Sequence, residues 1–229
     1  MRHFEEQLDE LQHRLMQMSG LVESAVYRSI LALVEKDADQ ANQVLQKESE
    51  INRMEIDIDD LAVRLLALDQ PVAGDLRFIT AAIKINGDLE RMGDLAAGIA
   101  ERSLGLMREP LVKPLIDIPH MANLAESMVR KALDSFVKRD SDLARSVLVS
   151  DDAVDELRDS IYNELIDYMQ KDPATVRQSI SLMFVARALE RIADHATNIA
   201  EDVLFLVDGV DVRHHAEIRS DAEQKPLAS

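Results

Sequence analysis

The stretch Leu89-Glu90-Arg91-Met92-Gly93-Asp94-Leu95-Ala96-Ala97-Gly98-Ile99-Ala100-Glu101 occurs twice in this chain. The second copy begins 100 residues later and reads Leu189-Glu190-Arg191-Ile192-Ala193-Asp194-His195-Ala196-Thr197-Asn198-Ile199-Ala200-Glu201. Eight of the thirteen positions are identical, including the Glu, Arg and Asp of an E-R-x-x-D pattern. A repeat at fixed spacing indicates an architecture built from related units. We therefore expect two halves, each with one acidic helix of this kind.

The composition favours helices over sheets. Hydrophobic residues make up 47% of the 229 residues and aromatic residues only 3%, without Trp, so the core must be aliphatic. The absence of Cys excludes disulfides and thiolate metal sites. A formal net charge of -17 repels nucleic acid and anionic lipid, so the expected partners are cations or basic protein surfaces and not nucleic acid.

No apolar run approaches the roughly 18 to 20 residues that cross a bilayer. The first residues are acidic and amphipathic, unlike a signal peptide. We therefore expect a cytoplasmic protein that is peripheral to the membrane only through its partners.

Apolar residues recur at helical spacing in six segments, which predict helices over about 4–36, 37–68, 72–108, 120–139, 140–170 and 174–207. Asp37 or Asp39 is typical of the N-cap of the second helix. Pro71 and Pro173 break the pattern at matching places. The expected domains are a first three-helix bundle over 1–108, a proline-containing linker over 109–119, a second bundle over 120–207 and a polar tail over 208–229.

The repeat extends beyond the thirteen residues. Val34-x-x-Asp37-x-Asp39-x-Ala41-x-x-Val44-Leu45 matches Val137-x-x-Asp140-x-Asp142-x-Ala144-x-x-Val147-Leu148 at an offset of 103. In that register Glu48 matches Asp151 and Asn52 matches Asp155. The predicted fold is all-α, with two three-helix bundles related by pseudo-twofold symmetry.

Carboxylate pairs at i,i+4 spacing are the candidate binding residues, because residues four apart share one face of a helix. The candidates are Glu90 with Asp94, Glu190 with Asp194, Glu48 with Asn52, and Asp151 with Asp155. Clusters of oxygen ligands suit magnesium, manganese, calcium or iron. With 43 acidic residues, however, chance alone gives about eight such pairs. A solvated or Arg-paired face therefore remains the alternative to a metal site.

Other candidate residues are weaker. His195 follows Asp194 directly and could assist a metal, but a single helical His is more often a packing or surface residue. Glu10-x-x-His13 occurs once, whereas a di-iron carboxylate bundle needs that pattern on two helices. No phosphate-binding loop and no basic pocket for an anion is recognisable, and no motif indicates an enzyme.

Taken together, these motifs resemble the PhoU family of bacterial phosphate-signalling regulators over about residues 4 to 215. The resemblance rests on Glu48-x-x-Ile51-Asn52-x-x-Glu55-x-x-Ile58-Asp59, Gln70-Pro71-x-x-x-Asp75-Leu76-Arg77, Asp151-x-x-Val154-Asp155, Asp211-Val212-Arg213-His214 and the two E-R-x-x-D copies. It implies PhoU-like tandem bundles, often as a homodimer, and acidic motifs that bind multinuclear metal clusters in some members.

Carried onto this chain, the resemblance implies a metal site at Glu48, Asn52, Glu90, Asp94, Asp151, Asp155, Glu190 and Asp194. The ions would be iron, zinc, magnesium or manganese. It also implies a negative regulator of the phosphate-starvation response and of phosphate uptake. Such a protein is an adaptor between the ATPase of the phosphate ABC transporter and a sensor histidine kinase.

The chain departs from the family pattern at Asn52, where the counterpart Asp155 keeps an acid. On that ground the first cluster is expected to bind metal more weakly than the second, or with a different nuclearity. The alternatives to an adaptor are a metal-dependent phosphohydrolase that acts on a signalling partner, and a helical scaffold without metal.

Overall fold

In a computed structural model of the chain, residues 2–68, 71–108, 112, 115–209 and 212 are described. All regular structure in these ranges is helical, which confirms the all-α prediction. The helices are α1 (Arg2–Glu35), α2 (Ala38–Leu68), α3 (Ala73–Leu106), α4 (Asp117–Lys138), α5 (Ser141–Lys171) and α6 (Val176–Asp208). Within these ranges no helix has a stretch long and apolar enough to span a membrane.

The turns that join α1 to α2 and α4 to α5 have the same construction. Lys36 and Arg139, which are 103 residues apart, both adopt a left-handed conformation, with φ of 55° and 50°. The following Asp accepts the capping hydrogen bond in each turn, from the backbone N–H of Asp39 to Asp37 at 2.8 Å and from that of Leu143 to Asp140 at 2.9 Å. Asp37 is thus the N-cap of α2.

The breaks before α3 and α6 differ in detail. Pro173 opens a 3₁₀ turn, Pro173–Thr175, whose first residue follows the capping Asp172. Val72 is extended before α3 begins, whereas Gln70 lies outside the described residues. The fourth helix begins at Asp117, three residues before the predicted boundary at 120. Pro110, Pro114 and the tail beyond residue 212 also lie outside the described residues.

The three helices of each half pack against one another, and the halves meet through α3 with α6 and α1 with α4. One aliphatic core runs through both bundles. The rings of Phe78 on α3 and Phe136 on α4 stack across the halves, with their centroids 5.4 Å apart. The pairing of equivalent helices fits the predicted pseudo-twofold symmetry.

Close packing of α2 on α3 depends on Gly93 in the first E-R-x-x-D copy. A Cβ atom at this position would lie 3.2 Å from both Cδ1 and Cγ2 of Ile51, which is buried. The second bundle has Ala193 and Val154 at the equivalent positions. Val154 has one methyl group fewer than Ile51, and Ala193 has one more than Gly93. The total side-chain volume of the contact is therefore the same in both bundles.

Candidate functional site: two acidic faces

The first acidic face lies where α2 packs on α3. Glu90 is half-buried and Asp94, one turn later on α3, is exposed. Burial raises the pKa of Glu90, and the carboxylates of Asp94 and of Glu55 on α2 raise it further, whereas Arg91 lowers it. Glu55 and Asp94 are thus each close enough to repel Glu90, and Arg91 opposes that repulsion only in part.

An amide network fixes α2 on α3 beside these carboxylates. Asn86 donates hydrogen bonds from Nδ2 to the backbone oxygen of Glu55 and to Oδ1 of Asp59, both at 2.9 Å. Asn52, which the sequence placed among the metal ligands, has a buried Oδ1 atom with no hydrogen-bond partner in the structure. An unpaired buried oxygen is unfavourable, and a cation or a water molecule would satisfy it. Glu48 lies one turn before Asn52 and is half-buried.

The second acidic face lies between α5 and α6 and contains an arginine. Arg158 donates from Nη1 to Asp155 Oδ1 at 2.7 Å and to Glu190 Oε1 at 2.8 Å. Arg187 donates to the same Glu190 oxygen at 2.6 Å. Two guanidinium groups therefore converge on one carboxylate whose side chain is only 8% exposed. This geometry corresponds to the Arg-paired face that was the alternative to a metal site.

The predicted acids of the second face lie together around this ion pair. Burial raises the pKa of Asp194, the nearby carboxylates of Asp151 and Asp155 raise it further, and Arg187 lowers it. Burial also raises the pKa of Glu190, with Asp194 adding to the effect and Arg187 and Arg158 opposing it. The structure thus places Asp151, Asp155, Glu190 and Asp194 in one electrostatic cluster.

The repeat register explains the difference between the faces. Arg158 follows Glu55 by 103 residues, the offset that also relates α2 to α5. The position therefore carries a negative charge in the first bundle and a positive charge in the second. Sequence reasoning missed Arg158 because only acidic positions were compared, although the offset alone would have identified the exchange.

The fit of each face to a metal ion follows from these contacts. In the described part of the chain, no three His, Asp or Glu side chains lie close enough to hold an ion, so the carboxylates would have to rotate. At the first face Glu55, Glu90 and Asp94 have suitable oxygens. At the second face Arg158 takes up Asp155 Oδ1 and Glu190 Oε1, although Glu190 Oε2 is buried without a partner. The metal ligand set stays a prediction.

His195 packs between the bundles. Its Nδ1 lies 2.8 Å from Oδ1 of Asp88 on α3, and both residues are buried. Asn198 donates to the same oxygen at 3.4 Å. Lys84 of α3 and Asp202 of α6 form an ion pair across this seam, at 2.6 Å. The packing alternative given for His195 accounts for this geometry, because its acidic partner belongs to the other bundle.

Two tandem three-helix bundles, each with an E-R-x-x-D helix and an acidic face, define an all-α tandem-bundle protein. Comparison with known families is consistent with this class: a sequence model described as "PhoU domain" matches residues 15–103 and again 118–203. Because the two matches cover most of the chain, the chain belongs to the PhoU family. This confirms the resemblance drawn from the motifs.

Curated relatives extend over nearly the whole chain. The phosphate-specific transport system accessory protein PhoU homolog of Pseudomonas putida is 41% identical over 99% of this chain and 89% of its own length. The protein with the same description from Aquifex aeolicus is also 41% identical, over 93% of this chain and 96% of its own length. These names describe accessory proteins of transport, which agrees with the prediction that the chain is not an enzyme.

Solved structures share the fold. The crystal structure of PhoU from Pseudomonas aeruginosa has a TM-score of 0.88 and 39% identity, and the match covers 90% of this chain and all of that one. The phosphate transport system regulatory protein PhoU from Streptococcus pneumoniae has a TM-score of 0.84 and 31% identity, with 91% and 99% covered. Both similarities support the tandem-bundle architecture.

Proposed function

We propose that this protein is a negative regulator of the phosphate-starvation response and of phosphate uptake. It acts as an adaptor between the ATPase of a phosphate ABC transporter and a sensor histidine kinase. Support comes from relatives that are named accessory or regulatory proteins of phosphate transport and match nearly the full chain. The inferences that the control is negative and that a sensor histidine kinase is a partner rest on the family resemblance of the motifs.

The observation that supports the adaptor role is that two acidic faces of different charge arrangement lie on bundles that share one core. The two bundles share a core, so a partner bound to one face is held at a fixed position relative to the other face. The first face presents mutually repelling carboxylates, whereas the second presents an ion pair of Arg158 with Glu190. Because charge complementarity decides which partners associate, these faces suit two different proteins.

A cation at the first face is part of the proposal. Glu55, Glu90 and Asp94 would hold it, and the amide oxygen of Asn52 is the neighbouring buried oxygen without a partner. A divalent or trivalent ion such as iron, zinc, magnesium or manganese would remove the repulsion and join α2 to α3. The homodimer and the cytoplasmic location belong to the same proposal and are supported by the family resemblance.

The decisive experiment is the alkaline phosphatase activity of the host in phosphate-rich medium after deletion of this gene. High activity that falls when the gene is restored supports a negative regulator. The restored gene then carries either Glu90→Gln with Asp94→Asn, or Glu190→Gln with Asp194→Asn. Loss of repression with either pair, at unchanged protein level, indicates that the face concerned binds a partner.

Matched controls are available on the same helices. Asp57 of α2 and Asp167 of α5 are exposed and do not share a helix face with the predicted site residues. The double variant Asp57→Asn with Asp167→Asn removes two negative charges, as each test pair does, and should restore repression fully. Unchanged phosphatase activity on deletion of the gene would refute the regulatory role.

A further inference from the structure

A groove between α3 and α6 carries a concentration of positive charge that is unusual for this chain. Arg102, Arg187 and Arg191 line a cavity of about 370 Å³ in which Asp94 is the one acidic lining residue. Three guanidinium groups against one carboxylate leave this cavity positive, although the whole chain has a formal net charge of -17. Neighbouring cavities place Arg177 beside Arg102 and Arg158 beside Arg187, although Glu101 also lines the first of them and Arg158 is paired with Asp155 and Glu190.

The arginines of the groove are ordered by contacts that leave donors available. The guanidinium carbon of Arg102 lies 4.0 Å from the centroid of the Phe184 ring, which orients the group across the groove. Arg187 uses Nη1 for Glu190, while its side chain stays 53% exposed. Arg191 is exposed on the same face of α6, one turn after Arg187. Since a guanidinium has five N–H donors, these contacts use only part of the capacity.

The pseudo-twofold symmetry provides an internal comparison. The equivalent groove has a cavity of about 380 Å³, lined by Lys84, Gly87, Asp88, Arg91, Asn198, Glu201 and Asp202. Arg187 is replaced there by Gly87, and Arg102 is replaced by Asp202, whose carboxylate pairs with Lys84. The fold therefore forms a groove of the same size with a negative surplus. The arginines are a property of one groove and not a requirement of the architecture.

We infer that this groove, formed by Arg102, Arg187 and Arg191, binds a doubly charged tetrahedral oxyanion, namely a phosphate group. Planar guanidinium groups donate paired hydrogen bonds to phosphate oxygens, and several converging arginines are the usual means of recognising that group. The source is either free inorganic phosphate or a phosphomonoester on a larger molecule. The site shares Asp94 and Arg187 with the two acidic faces but requires neither a metal ion nor the adaptor role, so either can fail without the other.

The test is calorimetric titration of the full-length protein with inorganic phosphate at constant ionic strength. Arg191→Gln and Arg102→Gln should each weaken binding by about tenfold or more, because each removes a charge-assisted hydrogen bond. Arg91→Gln, the symmetry-equivalent change in the other groove, should leave the affinity unchanged. All three substitutions lower the positive charge equally, so a difference among them reports the site and not the net charge.

A parallel titration with phenyl phosphate distinguishes the two sources. Tighter binding of inorganic phosphate indicates the free anion, and tighter binding of phenyl phosphate indicates a phosphorylated partner; both support the site. Absence of saturable binding of both compounds overturns it. Equal weakening by Arg91→Gln and Arg191→Gln also overturns it, because binding would then follow overall charge.

Discussion

Arg158 donates a 2.8 Å hydrogen bond to Glu190, whereas the equivalent residues of the first bundle, Glu55 and Glu90, are two carboxylates that repel each other. The equivalent interfaces of α2 with α3 and of α5 with α6 thus have different charge arrangements. In the second bundle the protein supplies its own cation, as a guanidinium group. In the first bundle Arg91 opposes this repulsion, and an ion or a partner side chain would add further positive charge.

Divalent cations should therefore stabilise the protein through the first face. Titration with Mn²⁺ is expected to raise the melting temperature of the wild type, because a bound ion removes the repulsion among Glu55, Glu90 and Asp94. Glu90→Gln with Asp94→Asn should abolish most of that rise, and Glu190→Gln with Asp194→Asn should leave most of it. Differential scanning fluorimetry with and without a chelator measures the effect.

The exchange of Glu55 and Arg158 provides the matching gain-of-function variant. Arg158→Glu should add a cation-binding event at the second face, detectable as a higher metal-to-protein ratio after dialysis. The wild type should therefore bind metal more tightly at the first face than at the second. The substitution of an acid by Asn52 had led to the opposite expectation, namely tighter binding at the second face. Equal metal occupancy of both faces in the wild type would contradict the interpretation based on Arg158.

The contact of Gly93 with Ile51 makes a second prediction. Gly93→Ala places a methyl group 3.2 Å from two atoms of a buried side chain. Overpacking costs about 1–3 kcal/mol, and the better helix propensity of Ala returns up to about 1 kcal/mol. The free energy of unfolding should therefore fall by about 1 kcal/mol, as measured by urea denaturation.

Adding Ile51→Val should rescue that loss, because the double variant reproduces the Ala193 and Val154 pair of the second bundle. Ile51→Val alone leaves a small cavity and should cost about 0.5–1.5 kcal/mol. The double variant should thus lose clearly less free energy of unfolding than the sum of the losses in the two single variants. Additive effects would mean that the two residues do not limit the packing of α2 on α3.

The local signals of the chain predicted the fold well. Asp37 and Asp140 cap the helices that begin just after them, as their side chains and positions indicate. Pro71 and Pro173 lie between α-helices, because proline cannot continue the preceding helix. These features depend on a few neighbouring residues, and the repeated pattern then determined how many helices each bundle has.

Features that join distant segments were not predictable in the same way. His195 is paired with Asp88, 107 positions away, and nothing in the sequence around either residue indicates the other. The arginine groove was also missed, since Arg102 and Arg191 meet only when α3 packs on α6. No basic pocket is recognisable in the sequence because the arginines are spread over both halves. Arg158 is different, since the repeat register alone relates it to Glu55.

The contact between α1 and α4 predicts a specific pH dependence. Glu23 and Glu126 are equivalent in the repeat, and the carboxylate of Glu23 raises the pKa of Glu126, so the two lie near the pseudo-twofold axis. Burial is the larger cause of both raised pKa values, while Arg130 opposes it, and Asp134 adds to the effect on Glu23. The folded protein therefore holds these protons more tightly than the unfolded chain does.

The stability that these two groups contribute is complete below their unfolded pKa, near the ordinary glutamate value of 4.5, and is lost as the pH rises through the raised values. Glu126→Gln should therefore raise the melting temperature at neutral pH, and this gain should shrink as the pH falls towards that value. Glu156→Gln, an exposed change on α5, is the control for net charge. A gain from Glu126→Gln that does not depend on pH would contradict the raised pKa values.

The pair of Asp88 and His195 should hold the two bundles together. His195→Leu leaves the buried carboxylate of Asp88 with only the 3.4 Å hydrogen bond from Asn198. Loss of one partner of a buried polar pair costs about 2–3 kcal/mol, so the free energy of unfolding should fall by about that amount. Urea denaturation at neutral pH is the measurement.

The symmetry-equivalent positions supply the control. Leu95 and Ala188 replace His195 and Asp88 there, and both are partly buried apolar residues packed on the core. Asp88→Ala combined with His195→Leu reproduces this apolar pair and should recover at least about 1 kcal/mol relative to His195→Leu alone, because no unpaired charge remains. If the double variant is as unstable as the sum of its single changes, the two residues are not energetically coupled. The seam between α3 and α6 would then be stabilised by its aliphatic contacts and by the ion pair of Lys84 with Asp202.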